Sequence, residues 1–447
     1  MRAARGGTGP VPQSVPYPPG DGVGTVGGER TVGVLYDAGS AGAAEVAAAA
    51  RFCGAELFLV VDRASEHVRE LLPVLTRRFA LCDITGLDAQ DAARAVAVFV
   101  PDGLLTFSEP RMELTSAIAA ALGIPYWHTP AVTGRLVDKL QQRRTFAEAG
   151  LDDLPFAPVA DAADLDAALD TVGLPAVLKP RRGAGGRLVH RLDSLSGARA
   201  AVAACADAAP GADLLVEALL PGDPGAAGAQ WGDYVSVETA VHRKECQPLC
   251  VTGKFPLVEP FRERGSFVPH TLDAPLAECA EDLAEAAIGA LDISDGIVHT
   301  ELKLTADGPR LIEVNGRLGG LVGDVVRRGS GFDLVAAAMR LALGLPVPDP
   351  PRFEGVTYQY TLLPPARGTR QRPAGGPEDL SARLDGLRHL PGVDLADLAT
   401  AAAPPPDPRD GAGARLGHLH GRTADHAELA RLATAIAELC RPVPGTV

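Results

Sequence analysis

Polar and apolar side chains alternate along two neighbouring stretches in the second half of the chain. Glu313, Asn315 and Arg317 are spaced two residues apart in one stretch, and Glu301 and Lys303 repeat that spacing in the other. Because successive side chains of a β-strand point to opposite faces, each set is expected to share a face. Mg²⁺ prefers carboxylate and amide oxygens and completes its octahedron with water and nucleotide phosphates. The stretches therefore predict a magnesium and phosphate site, and a hairpin with one wet face is the alternative.

A glycine-rich turn is a second candidate for phosphate binding. Lys179 ends a buried strand-like run, and Gly183, Gly185 and Gly186 follow it. Glycines let backbone N–H groups approach a triphosphate, and the lysine supplies a compact cation. The turn matches neither a Walker loop nor a dinucleotide fingerprint. A glycine-rich hairpin with solvated arginines is the alternative that these residues leave open.

The order of these residues along the chain resembles that of the ATP-grasp superfamily. Within it, the chain is most similar to the carboxylate–amine ligases that join amino acids or peptides, and the similarity extends over residues 132–345. The matched positions are Asp138 and Lys139, Lys179, the glycine-rich turn, Leu214 to Glu217, Asp233 to Glu238, Lys254 and Phe255, Glu301, and finally Glu313, Asn315 and Arg317.

The resemblance implies a way of holding a nucleoside triphosphate. Lys139 and Lys179 would contact the α- and β-phosphates, and the turn containing Gly183, Gly185 and Gly186 would form a flap over them. Such a flap would also keep water away from a reactive intermediate. ATP is the cofactor implied.

The adenosine end of the nucleotide is assigned by the same resemblance. Residues from Glu217 to Leu220 would form a hinge between two lobes and read adenine through backbone groups. Asp233 stands where the superfamily usually has a glutamate for the ribose hydroxyls, and it follows a long insertion at residues 221–232.

The resemblance also implies the reacting end of the site. Lys254 would reach the γ-phosphate, and Glu301, Glu313 and Asn315 would hold Mg²⁺, with Mn²⁺ as a substitute. Arg317 would steady the transferring phosphate and the acyl phosphate made from it. Lys254 and Arg317 are therefore the predicted catalytic residues.

Three further sites were weighed from residue type and position. Glu263 lies in a stretch that resembles the acceptor pocket of amino-acid ligases, and a charged surface loop is the alternative. His299 shares the face of Glu301, and we interpret it as a hydrogen-bonded core histidine, with a catalytic base as the less favoured alternative. His418 and His420 receive no role.

The architecture expected is α/β and α+β, in three domains. Strands and helices alternate over residues 31–130, which predicts a parallel sheet covered by helices on both faces. A two-lobed ATP-binding region over residues 131–345 would have its small lobe at about 150–220 and begin with one long helix, Val132 to Ala149. Residues 346–447 would form a small C-terminal domain. Residues 1–30 contain 13 Gly or Pro and predict a disordered tail.

Composition narrows the classes of partner. The net charge of −14 argues against a protein that binds nucleic-acid phosphates through a basic face. Seven scattered cysteines favour a reducing cytoplasm. No run of 18 apolar residues exists in the sequence, so no membrane partner is expected. We expect small-molecule or peptide substrates, and a homodimer is left open.

The activity that the resemblance implies is ADP-forming ligation of a carboxylate to an amine through an acyl phosphate. The substrates would be an amino acid or related carboxylate and an amino acid or peptide, in natural-product biosynthesis. Two alternatives stay open: an ATP-grasp kinase or carboxylase, and a non-enzymatic ATP-binding regulatory module. The complete set of metal ligands disfavours the second, because nucleotide binding alone needs fewer of them.

Overall fold

The computed structural model describes residues 30–259, 261–363, 385–398 and 415–440. The predicted N-terminal tail, up to residue 29, lies outside the described residues.

The N-terminal region is a four-stranded parallel sheet in the order β3-β2-β1-β4. Its strands are β1 (Arg30–Leu35), β2 (Ala55–Val61), β3 (Ala80–Asp83) and β4 (Gly103–Leu105), and its helices are α1 (Ala43–Phe52), α2 (Glu66–Arg78), α3 (Ala89–Ala97) and α4 (Met112–Leu122). One sheet face packs against α1 and α2, and the other against α3 and α4. The predicted parallel sheet with helices on both faces is therefore confirmed.

Two short helices stand where the sequence predicts one long helix. They are α5 (Pro130–Val137) and α6 (Lys139–Glu148), and they meet at Asp138, whose φ of −116° and ψ of 105° are not helical. The Asp138 carboxylate accepts a hydrogen bond from the Leu140 N–H and caps α6. It also binds Arg181, at 2.5 Å from Nη2. The prediction of an unbroken helix was wrong. Arg181 stabilises the non-helical conformation of Asp138, and a contact with so distant a residue cannot be read from the local sequence pattern.

The small lobe is a four-stranded antiparallel sheet in the order β5-β8-β6-β7. Its elements are β5 (Phe156–Val159), α7 (Leu165–Val172), β6 (Ala176–Pro180), β7 (His190–Leu192), α8 (Leu195–Ala208) and β8 (Leu214–Ala218). Val177 pairs with Glu217, so Glu217 and Lys179 lie diagonally across one face. The glycine-rich turn joins β6 to β7.

The large lobe is an eight-stranded antiparallel sheet in the order β13-β12-β9-β10-β11-β14-β16-β15. Its strands are β9 (Tyr234–His242), β10 (Glu245–Lys254), β11 (Gly265–Val268), β12 (Asp295–Thr305), β13 (Gly308–Asn315), β14 (Val356–Leu362), β15 (Leu395–Leu398) and β16 (Gly417–Thr423). Its helices are α9 (Ala274–Ala290), α10 (Val322–Ser330), α11 (Leu334–Ala342) and α12 (His426–Cys440). Strands β14 to β16 show that the described part of residues 346–447 extends the sheet of the large lobe.

The two faces of this sheet have different surroundings. On one face, Val235, Val298 and Leu302 join the main hydrophobic core, against α9. On the other face, residues of β9, β12 and β13 bring carboxylates, a histidine and an asparagine together. Burial of the apolar face fixes the register, because a shift of one residue would exchange the two faces.

Candidate active site

Two carboxylates face each other at the edge of the large sheet. Glu301 of β12 pairs with Glu313 of β13, and Asn315 lies opposite His299 two pairs further along, on the same face. Like charges directly opposite on a sheet destabilise it unless something neutralises them. Burial, together with the charges of Glu109 and Glu301, raises the pKa of Glu313. A divalent cation would relieve this repulsion, so the donor set fits the predicted Mg²⁺.

The same donor set cannot surround a metal alone. Within the described ranges, no three His, Cys, Asp or Glu side chains are grouped to hold a metal ion. Two carboxylates and one amide oxygen leave an octahedron incomplete, which is the usual arrangement where nucleotide phosphates and waters supply the remaining ligands.

Lys139 joins the carboxylate pair to the glycine-rich turn. It is the first residue of α6, and its Nζ lies 3.0 Å from Glu313 Oε1 and donates to the Gly183 carbonyl oxygen at 2.6 Å. Gly183, Gly185 and Gly186 have φ values of 122°, 71° and 68°, which glycine adopts without strain. The turn is exposed, and Lys139 connects it to Glu313 at the metal-binding end of the site.

The predicted second phosphate lysine belongs to a buried ion cluster. Lys179 Nζ lies 2.7 Å from Glu217 Oε2, and Arg143 Nε donates to Glu217 Oε1 at 2.8 Å. Arg143 also binds Asp152 at 2.9 Å. Burial opposes the charge on Glu217, but Arg143 and Lys179 outweigh it and lower its pKa to about 2. Leu220, the other predicted hinge residue, is half-buried just after β8.

We expect Glu217→Gln to lower the free energy of unfolding by about 3–5 kcal/mol, because two buried cations would lose their shared counter-charge. The pKa of Glu217 falls from 4.5 to about 2 on folding, so its contribution is present above pH 4.5 and is lost as the pH falls towards 2. Urea unfolding at several pH values would measure both effects. Glu148→Gln, at an exposed position of α6, is the matched control. Equal stability of the two variants at neutral pH would contradict this reading.

The ribose end of the predicted site contains a further ion pair. Asp233 Oδ1 lies 2.7 Å from Lys303 Nζ, and a cavity of about 330 Å³ opens beside them. Trp231 and Gly232 of the insertion line this cavity, as does Arg191 of the small lobe. The insertion is therefore part of the cavity wall.

Lys254 is buried and forms an ion pair near the predicted acceptor segment. It ends β10, and its Nζ lies 3.2 Å from Glu263 Oε1. Burial opposes its charge, but Glu263 and Glu301 outweigh this effect and raise the pKa of Lys254. Lys254 therefore stays cationic, as contact with a phosphate requires. Glu263 is exposed, just before β11.

Arg317 is held by a carboxylate that the sequence analysis missed. Its Nη2 donates to Glu109 Oε2 at 2.6 Å and to Asn315 Oδ1 at 3.1 Å. Glu109 follows β4 in the N-terminal domain, 208 residues away in sequence. Ligands of open parallel sheets bind outside the carboxyl ends of the strands, and that rule could have singled out Glu109.

His299 lies between two carboxylates. Its Nδ1 is 2.5 Å from Glu238 Oε1, and its Nε2 is 3.2 Å from Glu301 Oε1. Burial opposes protonation, but Glu238 outweighs it and raises the pKa of His299 to about 9. The pKa of Glu301 is lowered to about 2, since the hydrogen bond and charge of His299 outweigh its burial.

Direct contacts therefore join nine of the predicted residues in four groups. Lys139 binds Gly183 and Glu313, Arg317 binds Asn315, Lys179 binds Glu217, and Lys254 binds Glu263. The structure adds Glu109 and Arg143 as partners, and it pairs Glu238 with His299 and Lys303 with Asp233. The roles assigned to all these residues stay predictions.

Known proteins resemble this chain in sequence and in fold. No family model matches the chain. Human carnosine synthase 1 is 28% identical over 279 residues, covering 57% of this chain and 32% of that protein. An L-amino acid ligase from Bacillus licheniformis superposes with a TM-score of 0.67 at 19% identity, covering 92% of this chain and 97% of the ligase. Carboxyaminoimidazole ribonucleotide synthase from Aspergillus clavatus, complexed with ATP, superposes with a TM-score of 0.70 at 16% identity, covering 92% and 98%.

These similarities confirm the ATP-grasp fold predicted from the sequence. The matched proteins include an L-amino acid ligase and a carnosine synthase. The chain spans about a third of the length of human carnosine synthase 1. Across the described ranges, no helix is long and apolar enough to cross a membrane.

Proposed function

We propose that this chain, which has the ATP-grasp fold, is an ADP-forming ligase that joins a carboxylate to an amine through an acyl phosphate. The observation that carries the proposal is the convergence of charges on one side of the large sheet. Two opposed carboxylates, Glu301 and Glu313, lie beside Lys139, and Arg317 binds the neighbouring Asn315. A phosphoryl-transfer site needs this combination of metal ligands and fixed cations.

The first step would transfer the γ-phosphoryl group of ATP to the carboxylate substrate. A carboxylate oxygen attacks the γ-phosphorus, the bond to the β,γ-bridging oxygen breaks, and ADP leaves. Lys254 and Arg317 would hold the phosphoryl oxygens, while Lys139 would hold those nearer the leaving group. Glu301, Glu313 and Asn315 would hold Mg²⁺, which when bound neutralises charge on the phosphate oxygens.

The second step would form the C–N bond. The amine nitrogen attacks the acyl carbon, phosphate leaves, and the nitrogen loses a proton. Arg317 is placed to hold the departing phosphate because its planar guanidinium can bind two oxygens at once. Water would hydrolyse the acyl phosphate, so the glycine-rich turn, tied to Lys139 through Gly183, would have to close before this step.

An amino acid or related carboxylate is the donor that we propose, and an amino acid or peptide is the acceptor. Glu109 and Glu263 are carboxylates at the two ends of the reacting region, beside Arg317 and Lys254 respectively, where each could accept a substrate ammonium group. Similarity to an L-amino acid ligase and to carnosine synthase supports this substrate class. We propose that the reaction serves natural-product biosynthesis.

The proposal is tested by the products formed from pairs of substrates. With Mg²⁺ and ATP, the protein should release ADP and phosphate at least about tenfold faster when a carboxylate and an amine are both present than with either alone. Liquid chromatography with mass spectrometry would identify the nucleotide and the amide. AMP and pyrophosphate would refute the mechanism, since they require attack at the α-phosphorus. A stable phosphorylated acceptor would favour a kinase, and bicarbonate-dependent turnover would favour a carboxylase.

A further inference from the structure

A row of buried polar side chains leads away from the proposed metal site along the large sheet. His299 contacts Glu301 through Nε2 and Glu238 through Nδ1. The Ser236 hydroxyl donates to Glu238 Oε1 at 3.2 Å and lies 2.5 Å from the Thr252 hydroxyl. The row therefore runs across strands β12, β9 and β10 and ends in the sheet interior.

Burial makes this row costly for a merely structural feature. Glu238 is 0% exposed and His299 is 4% exposed. A buried carboxylate destabilises a fold unless it is paired and hydrogen-bonded, and Glu238 Oε2 has no hydrogen-bond partner among the described residues. A core histidine can donate to a backbone carbonyl instead, as His128 does through Nε2 to the Gly316 carbonyl oxygen at 2.7 Å. Burying the His299 side chain does not require a carboxylate beside it, so the presence of Glu238 needs another explanation.

The turn after Arg317 packs directly on the same histidine. A Cβ atom added to Gly319 would lie 2.4 Å from His299 Nδ1, so only glycine fits there without displacing the ring. His299 thus touches both Glu301 and the turn that follows the predicted phosphate-binding arginine.

We propose that Glu238 and His299 are positioning residues that orient Glu301 for metal binding, an inference that rests on the proposed function. Glu238 fixes the ring through Nδ1, and the ring then holds one oxygen of Glu301 through Nε2. Without that bond, Glu301 would be free to turn away from the like charge of Glu313. Partners that orient metal ligands in this way typically affect metal affinity by about 10- to 100-fold.

Two replacements of His299 separate positioning from simple packing. The amide nitrogen of asparagine lies near the place of Nδ1, so His299→Asn keeps a contact with Glu238 and loses the one with Glu301. The longer glutamine places its amide nitrogen near Nε2, so His299→Gln keeps a donor for Glu301. Thr300→Val is the matched control, because Thr300 is the next buried residue of β12, points to the opposite face and has no hydrogen-bond partner for its hydroxyl in the described structure.

The readout is the affinity for Mn²⁺, measured by electron paramagnetic resonance in the presence of a non-hydrolysable ATP analogue. Relative to the unchanged protein, His299→Asn should weaken Mn²⁺ binding about 10- to 100-fold. His299→Gln should recover most of that affinity, and Thr300→Val should leave it within about twofold of the unchanged protein. A folded His299→Asn variant with unchanged Mn²⁺ affinity would overturn the inference, as would equal losses in the Asn and Gln variants.

Two further variants complete the test. Glu238→Gln should weaken Mn²⁺ binding, and combining it with His299→Asn should add little, because both changes act through the same contact with Glu301. If the losses of Mn²⁺ affinity in the two single variants add up in the double variant, Glu238 and His299 do not act through one contact. If His299→Asn fails to fold, Glu238→Gln alone decides the question by the same criterion. Glu301→Gln tests the proposed function separately: if it binds Mn²⁺ as tightly as the unchanged protein, the metal assignment itself fails.

Discussion

Replacing Glu313 with glutamine is expected to lower the rate of ADP formation to about one thousandth, because the metal stabilises several kcal/mol of charge in the transition state. Glu313 lies opposite Glu301 and contacts Lys139 at 3.0 Å, so an amide there removes negative charge from the centre of the site. The rate of coupled ADP release at saturating ATP and Mg²⁺ measures the effect.

The same replacement should change thermal stability little. Glutamine leaves Lys139 without its ion pair, but it also removes repulsion from Glu109 and Glu301, which helps raise the pKa of Glu313. The first change lowers the stability of the fold and the second raises it, so they partly cancel. Glu245→Gln, at the exposed first residue of β10, is the control for the substitution itself. A Glu313→Gln variant that keeps most of its activity would show that Glu313 is not a metal ligand.

Local patterns predicted the parts of the structure that depend on local geometry. Strand alternation predicted that Glu313 and Asn315 share a face, and in β13 they lie opposite Glu301 and His299. Arg317 was predicted on the same strand but lies beyond its end, and it contacts Asn315 at 3.1 Å from the turn that follows. The repeated strand and helix pattern predicted the parallel sheet, because short connections between such elements allow few other arrangements. Both predictions depend on the side-chain periodicity of strands and helices, which can be recognised within about ten residues of sequence.

Contacts between distant segments could not be read in this way. Glu109 and Arg317 are 208 positions apart, and Arg143 and Glu217 are 74 apart. His299 illustrates the same limit, since its identity as a core residue was predictable but its partner Glu238, 61 positions away, was not. A buried ion pair depends on which strands become neighbours, and sheet order is a property of the whole fold.

The C-terminal strands show a second source of error. Strands β15 and β16 were not predicted; β16 pairs with β14, and β15 pairs with β16 at the far edge of the large sheet. His418 and His420, which received no role, lie on β16 opposite Thr361 and Gln359. The short strand β11 was likewise not predicted.

Replacing Arg317 with lysine is expected to separate transition-state stabilisation from nucleotide binding. Arg317 uses one nitrogen to bind both Glu109 and Asn315, and its planar fork can hold two oxygens of a transferring phosphate where lysine holds one. Loss of one charge-stabilising donor typically lowers kcat by about 100- to 1,000-fold. The affinity for ATP and Mg²⁺, measured by calorimetry, should fall by less than about tenfold, because Lys139 and Lys179 would still hold the other phosphates.

The control is Arg199→Lys, the same change on helix α8, where the exposed arginine binds Asp166 at 3.0 Å outside the proposed catalytic residues. It should leave both kcat and ATP affinity nearly unchanged. Equal losses of kcat and affinity in Arg317→Lys would assign the guanidinium to ground-state binding, since an interaction made equally in both states does not raise kcat. No loss in either would mean that Arg317 only links Glu109 to the large sheet. The proposed ligase mechanism requires the unequal outcome, because the charge that Arg317 would meet develops only as the phosphoryl group leaves ADP.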